Sequence, residues 1–311
     1  MITTVTLNPC IDKTVYCENF GAGKLNRVRV GQLIPSGKGI NSSVVINNLG
    51  RDTCCIGFNY TENGQVLEDF LSREGITFEF VPCEGLLRTN TKVFDEASST
   101  MTELNEYGSP VGKEQLEALK GLIVKYAKIS DVMILSGSVP RGVDEDIYGE
   151  CCALIRANGS AKIIVDAEKG LLENTFKFEP DLIKPNNFEL EQMTGCEVRT
   201  HEDIVREARV LLGRGVKRAA VSLGGEGAVM IDRDEAWFSP AVSVEVKGLQ
   251  GAGDSMVAGM AISISDEASL SELLLAGAAA AAGSVGLPGT LLCGSEDFEA
   301  AKPKVQIEKL F

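Results

Sequence analysis

The segment Gly251-Ala252-Gly253-Asp254-Ser255-Met256-Val257-Ala258-Gly259 has the composition of an anion site: small residues lead into an apolar stretch predicted to be helical as far as about Ile264. Without bulky side chains, successive N–H groups at a helix N-terminus converge on a negative group, and the helix dipole adds to the attraction. Such a hole suits a phosphoryl group in flight. An aspartate at its edge can accept the proton of an attacking hydroxyl, the minimum that transfer through a loose transition state asks of a side chain. The same dipole is expected to keep Asp254 ionised. Taken alone, the four residues Gly251 to Asp254 fit equally well a capping aspartate and two close-packing glycines.

A second glycine cluster, Ser36-Gly37-Lys38-Gly39-Ile40-Asn41-Ser42-Ser43, also opens onto a helical pattern. A turn and a cap explain its glycines. They do not explain Lys38, a point charge, or Asn41 on the first turn, groups suited to a phosphate and to sugar hydroxyls. A third segment, Lys184-Pro185-Asn186-Asn187-Phe188-Glu189, sets Asn186 and Glu189 three apart at a predicted helix start, hence on one face. The pair can hold Mg²⁺ through its waters or form a capping box, and the spacing serves both.

Two common nucleotide motifs are absent. Gly31 to Lys38 has one residue too many for a Walker A loop, and Gly251-Ala252-Gly253 lacks the third glycine of a dinucleotide fingerprint. The single histidine, His201, follows Thr200 with Asp203 three positions on, a capping pattern that predicts a solvent-exposed structural role rather than a triad or a metal site.

These groups need a scaffold, and 311 residues with 44% hydrophobic content can bury a sizeable core. Short β-branched runs at Ile2 to Leu7, Thr53 to Phe58, Val132 to Leu135, Ile163 to Asp166, Leu182 to Lys184 and Ala219 to Leu223 predict core strands. Amphipathic stretches at Lys113 to Lys128, Asp144 to Asn158 and Glu202 to Gly213 supply crossovers, so a mostly parallel sheet covered on both faces is expected. Segments 14–34 and 88–104 break the alternation and read as a small separate sheet, a lid inserted in one domain spanning 1–311. The run Ala276 to Ala282 is predicted to be a tightly packed buried helix.

A formal charge of −14 without a dense basic run argues against nucleic acid and anionic membrane as partners. An acidic chain that handles anions must therefore gather cations locally. No apolar run is long enough to span a bilayer and Met1 to Leu7 lacks signal-peptide character, so the cytoplasm is expected. Nine cysteines without C-x-x-C spacing predict small buried hydrophobes rather than disulfides or zinc.

In this order, the motifs resemble those of the PfkB branch of the ribokinase family along essentially the whole chain. The early cluster is similar to its G-G-x-G-x-N signature and Lys184 to Glu189 to its N-x-x-E motif. Ser222-Leu223-Gly224-Gly225-Glu226-Gly227-Ala228 is similar to its nucleotide loop, and Gly251 to Asp254 to its anion hole. Leu7 to Thr14, Arg88-Thr89-Asn90-Thr91-Lys92 and Thr102-Glu103-Leu104-Asn105 with Gly108 resemble the 1-phosphofructokinase and tagatose-6-phosphate kinase group.

The resemblance implies a ribokinase-like three-layer α/β/α sandwich with a β-sheet lid, a homodimer through that lid, and ATP with Mg²⁺. It implies phosphorylation of a ketohexose phosphate, fructose 1-phosphate at O6, with tagatose 6-phosphate or a non-catalytic sugar-phosphate binder as alternatives. Asp254 becomes the base, with Gly251, Ala252 and Gly253 as the hole. Asp12 and Asn41 are expected on sugar hydroxyls, and Lys38, Arg88, Lys92 and Arg27 on the substrate phosphate, with Gly37, Gly39 and Ser138 lining that site. The nucleotide falls to Lys184, Asn186, Ser222, Gly224, Gly225, Glu226, Gly227 and Gly253, and the metal to Asn186 and Glu189 through water. The chain departs from the pattern at Ser36, where the family has glycine, at Gly248-Leu249-Gln250, and at Ala167-Glu168-Lys169.

Overall fold

In the computed structural model, which describes residues 1–311, the strands are β1 (Ile2–Thr6), β2 (Cys10–Cys17), β3 (Arg29–Ser36), β4 (Thr53–Glu62), β5 (Thr77–Leu86), β6 (Arg88–Asp95), β7 (Thr100–Asn105), β8 (Val132–Ser136), β9 (Lys162–Asp166), β10 (Leu182–Ile183), β11 (Ala219–Ser222), β12 (Gly227–Ile231), β13 (Ala236–Pro240) and β14 (Glu308–Lys309). Ten of them form one sheet in the order β14-β13-β12-β11-β10-β9-β8-β1-β4-β5. From β11 to β5 every pairing is parallel, and the β12 to β14 edge is antiparallel. All six runs read as core strands lie in this sheet. Edge strand β5 escapes the sequence pattern because it mixes Glu79, Pro82 and Glu84 with its apolar residues.

The helices are α1 (Lys38–Asn48), α2 (Gln65–Arg73), α3 (Lys113–Ala127), α4 (Ile147–Asn158), α5 (Lys169–Glu173), α6 (Asn187–Thr194), α7 (His201–Gly213), α8 (Ala252–Ser265), α9 (Leu270–Val285) and α10 (Ser295–Ala301). Central strands carry apolar side chains on both faces, which is why they read as unbroken hydrophobic runs. On β8, Met133 and Leu135 face a core completed by Leu119 and Ile123 of α3 and Ile155 of α4, and Val132 and Ile134 face one completed by Ile46, Val257 and Leu273 of α1, α8 and α9. The Ala276 to Ala282 run lies within α9, where Gly277 lets Met256 and Met260 of α8 approach closely.

A second sheet, in the order β3-β2-β6-β7, stands apart. It starts at Cys10 rather than at residue 14, and residues 18–28 form an irregular segment rather than strand. Eight cysteines are buried and Cys196 is exposed. No helix is long and apolar enough to cross a membrane.

Candidate active site

Strands β1, β8, β9, β10 and β11 all point their carboxyl ends the same way, and at those ends stand Asn8, Ser136, Asp166, Lys184 and Ser222. Between β1 and β8 the strand order reverses direction, which opens a crevice of the kind that binds ligands in parallel α/β sheets. A cavity of about 750 Å³ lies there, roofed by the small sheet. Asp12, Gly37, Lys38, Asn41, Arg88, Lys92, Ser138, Gly251 and Asp254 all line it.

Two helices begin at this cavity without a side-chain cap. The turn before α1 is made by Gly37 (φ 148°) and the turn before α8 by Gly251 (φ 74°), backbone conformations that side chains strain to adopt. Gly39 is needed for another reason: a Cβ there would stand 2.4 Å from Thr6 Oγ1. It is buried behind the cavity and does not line it. Ser42 Oγ donates to the Asp254 carbonyl (3.1 Å), locking the two helix starts together.

Asp254 does not cap its own helix. Its carboxylate, 8% exposed, accepts from Asn41 Nδ2 at 2.7 Å. Burial drives its pKa up to about 6 against the pull of Lys38; Asp166 adds to the rise, and the Asn41 hydrogen bond and Lys184 oppose it. Burial is thus the largest influence on a carboxylate that the sequence reading expects the helix dipole to keep ionised, and it acts in the opposite sense.

Asp166, which the sequence motifs did not single out, anchors both lysines. Lys38 Nζ lies 3.2 Å and Lys184 Nζ 3.4 Å from its Oδ1. Burial raises its carboxyl pKa, yet Lys184 and Lys38 more than reverse this and hold it low. Asp166 in turn raises that of Lys38 despite burial. A carboxylate at the end of an apolar strand was the available signal. Lys184 Nζ lies about 3.5 Å from where a Cβ on Gly253 would sit, so a cation adjoins the open start of α8.

Several of the expected site residues already have partners within the protein. Asn41 spends its amide on the protein: besides the bond to Asp254, its Oδ1 accepts from Ser36 Oγ at 3.1 Å. Lys92 forms a buried ion pair with Asp12 (2.8 Å), so neither is a free group. Arg88 donates to the Asn8 carbonyl from Nε and Nη2, and to Asn90 Oδ1 and the Glu106 carbonyl from Nη1. Arg27 is exposed on the irregular segment and outside the cavity. The wall as a whole is not basic: Lys38, Arg73, Arg88 and Lys92 face Asp12, Glu74, Glu103, Glu106, Glu168 and Asp254. Lys38 and Lys184 come together near the start of α8, where both pair with Asp166. Thr6 Oγ1, Asn8 Oδ1 and Ser136 Oγ are buried at the cavity without partners, acceptors and donors that sequence patterns did not flag.

The nucleotide-loop candidates assemble separately. Asn186 and Ser222 pair across strand ends, and Gly224 (φ 57°) and Gly227 (φ 118°) shape the β11–β12 turn. Glu226 lines a second cavity of about 370 Å³ with Asn187 and His201. His201 packs on Phe238 at a centroid distance of 4.0 Å rather than projecting freely. Asn186 and Glu189 form the capping box, with Glu189 N donating to Asn186 Oδ1 (2.8 Å) and Asn186 N to Glu189 Oε2 (2.7 Å). No cluster of three or more carboxylate, histidine or cysteine groups is positioned to chelate a metal. With one Glu189 oxygen engaged and Asp166 on two lysines, the donor set fits a small hard ion that keeps most of its water.

Residues 5–297 match the model of the pfkB family carbohydrate kinases, and the chain belongs to that family. It is 32% identical to the 1-phosphofructokinase of Escherichia coli K12 over 83% of this chain and 82% of that one. The structure of phosphofructokinase-2 from E. coli in complex with substrates and products superposes with a TM-score of 0.91 at 27% identity, covering 97% of this chain and 98% of that one. Ribokinase from Thermotoga maritima superposes with a TM-score of 0.80 at 21% identity, over 97% of this chain and 98% of that one, which establishes the ribokinase-like fold.

Proposed function

We propose that this chain is a phosphotransferase moving the γ-phosphate of ATP to the free primary hydroxyl of a ketohexose phosphate, fructose 1-phosphate at O6. The observation that carries phosphoryl transfer is the buried Asp254 carboxylate at an uncapped helix start, inside the cavity and near Lys38 and Lys184. The sugar is drawn from the E. coli relative named 1-phosphofructokinase.

In this reading the hydroxyl proton passes to Asp254 as the sugar oxygen bonds to the γ-phosphorus and the bond to the ADP oxygen breaks. N–H groups of Ala252, Gly253 and Asp254 receive the transferring oxygens, and Lys38 offsets their charge. Lys184, Asn186, Ser222 and the 224–227 turn hold the nucleotide. Asn186 and Glu189 would hold Mg²⁺ through water, and the ion would supply charge neutralisation to the nucleotide phosphates. Arg88, Asn8 and Ser138 line the sugar-phosphate end, where the second Nη2 N–H of Arg88 remains to meet the ester.

The small sheet acts as the lid of one catalytic domain. Its exposed Val30, Leu33, Met101 and Leu104 support a homodimer through this sheet. A kinase of this type with no membrane-spanning helix fits a cytoplasmic setting.

The deciding experiment is ADP release with Mg-ATP over fructose 1-phosphate, fructose 6-phosphate, tagatose 6-phosphate, fructose and ribose, on protein whose mass in solution is measured alongside. Preference for fructose 1-phosphate and a dimeric mass are expected. Turnover on tagatose 6-phosphate alone would reassign the substrate, absence of turnover would leave a binding protein, and a monomeric mass would remove the dimer.

A further inference from the structure

Ser36 ends β3 one residue before the turn at Gly37, and its side chain is 6% exposed. It marks one of the chain's departures from the family pattern, and its hydroxyl has one partner, Asn41 Oδ1 at 3.1 Å. Asn41 Nδ2 in turn reaches Asp254 Oδ2 at 2.7 Å. An ionised carboxylate only accepts hydrogen bonds, so the amide nitrogen must face Asp254 and the amide oxygen must face away. The Ser36 hydroxyl donates to that outward oxygen and so tethers the amide whose nitrogen the carboxylate holds. Glycine or alanine at this position offers no such donor.

We propose that Ser36 is a positioning residue for the base, tethering the Asn41 side chain so that its amide nitrogen holds the Asp254 carboxylate in place. The device spans three elements, since Ser36 belongs to the small sheet, Asn41 to α1 and Asp254 to α8. The other charged groups acting on Asp254 are Lys38 of α1, Asp166 at the end of β9 and Lys184 after β10. None of them bonds to Ser36, so replacing it tests the amide link. The inference rests on Asp254 being the base.

The test is kcat/KM against pH for the native chain, Ser36→Ala, Ser36→Gly, Asn41→Ala and the Ser36→Ala/Asn41→Ala double variant. Weakening a hydrogen bond that favours the ionised carboxylate should move the acid limb upward by about half a pH unit in both Ser36 variants. In the Asn41→Ala background the Ser36 change should add nothing, because the link is already cut. An acid limb unmoved by either Ser36 variant overturns the proposal, as does the same shift with Asn41 absent. A native chain without turnover would instead fail the kinase reading, so the two failures are distinguishable.

Discussion

The N-termini of α6 and α8 lie at the same edge of the main sheet, yet they satisfy their N–H groups differently. Helix α6 closes on itself through the Asn186–Glu189 box. Helix α8 begins at Gly251, has no side-chain cap, and turns its first-turn carboxylate toward Asn41 on another helix. A closed start gives its hydrogen-bonding capacity to stability, whereas an open one keeps donors for a ligand. Helices α7 and α9 repeat the closed arrangement through Thr200–Asp203 and Ser269–Glu272, and α1 repeats the open one beside the cavity. The carboxylates follow the same division: Glu272 is held below the ordinary range by the Ser269 hydroxyl and then the Ser269 N–H, while burial lifts Asp254 to about 6.

The comparison breaks most visibly at Asp254. Asp254→Asn should keep the fold and ATP binding but lower kcat by about 10²- to 10⁴-fold, the range of a lost general base. An unchanged kcat would return Asp254 to a structural role.

A pH profile sharpens the same point. A carboxylate base works only when ionised, so on the proposed mechanism activity should be lost on the acid side as pH falls through about 6 and Asp254 takes up a proton. Below that point kcat/KM should fall about tenfold per unit, and a flat profile there would show that another group accepts the proton.

Glu189→Gln separates the two uses of the α6 start. Glutamine also completes a capping box, so the midpoint of urea unfolding should hold while the Mg²⁺ concentration for half-maximal rate rises several-fold, about 1 kcal/mol of lost charge attraction. An unmoved Mg²⁺ requirement would leave Glu189 as a cap and no more.

The smallest effect belongs to a closed helix far from the chemistry. Ser269→Ala should cost about 1 kcal/mol of stability in urea with unaltered kcat and KM. A kinetic change there would mean that open and closed starts are not separable.

Much of this division was legible in the chain because its signals are local. The box at Asn186 and Glu189 depends on residues three apart, and the core strands on short β-branched runs. The glycines at 37 and 251 announce turns by their own conformational range. Motif order was sufficient to place the chain in its family, which the family match and the fold bear out.

Other features depend on groups that meet only after folding. Asn41 and Asp254 are 213 positions apart, Lys92 and Asp12 are 80 apart, and Arg88 is committed to the carbonyl of Asn8. Spacing along the chain carries no record of such partners, nor of how much water surrounds a carboxylate once its neighbours close over it. The sequence by itself determined that Asp254 would stand at the mouth of a glycine-lined helix. Whether its carboxylate would cap that helix or turn toward Asn41, and with what proton affinity, was decided by the packing of α1 against α8, because desolvation and hydrogen-bond partners exist only in three dimensions.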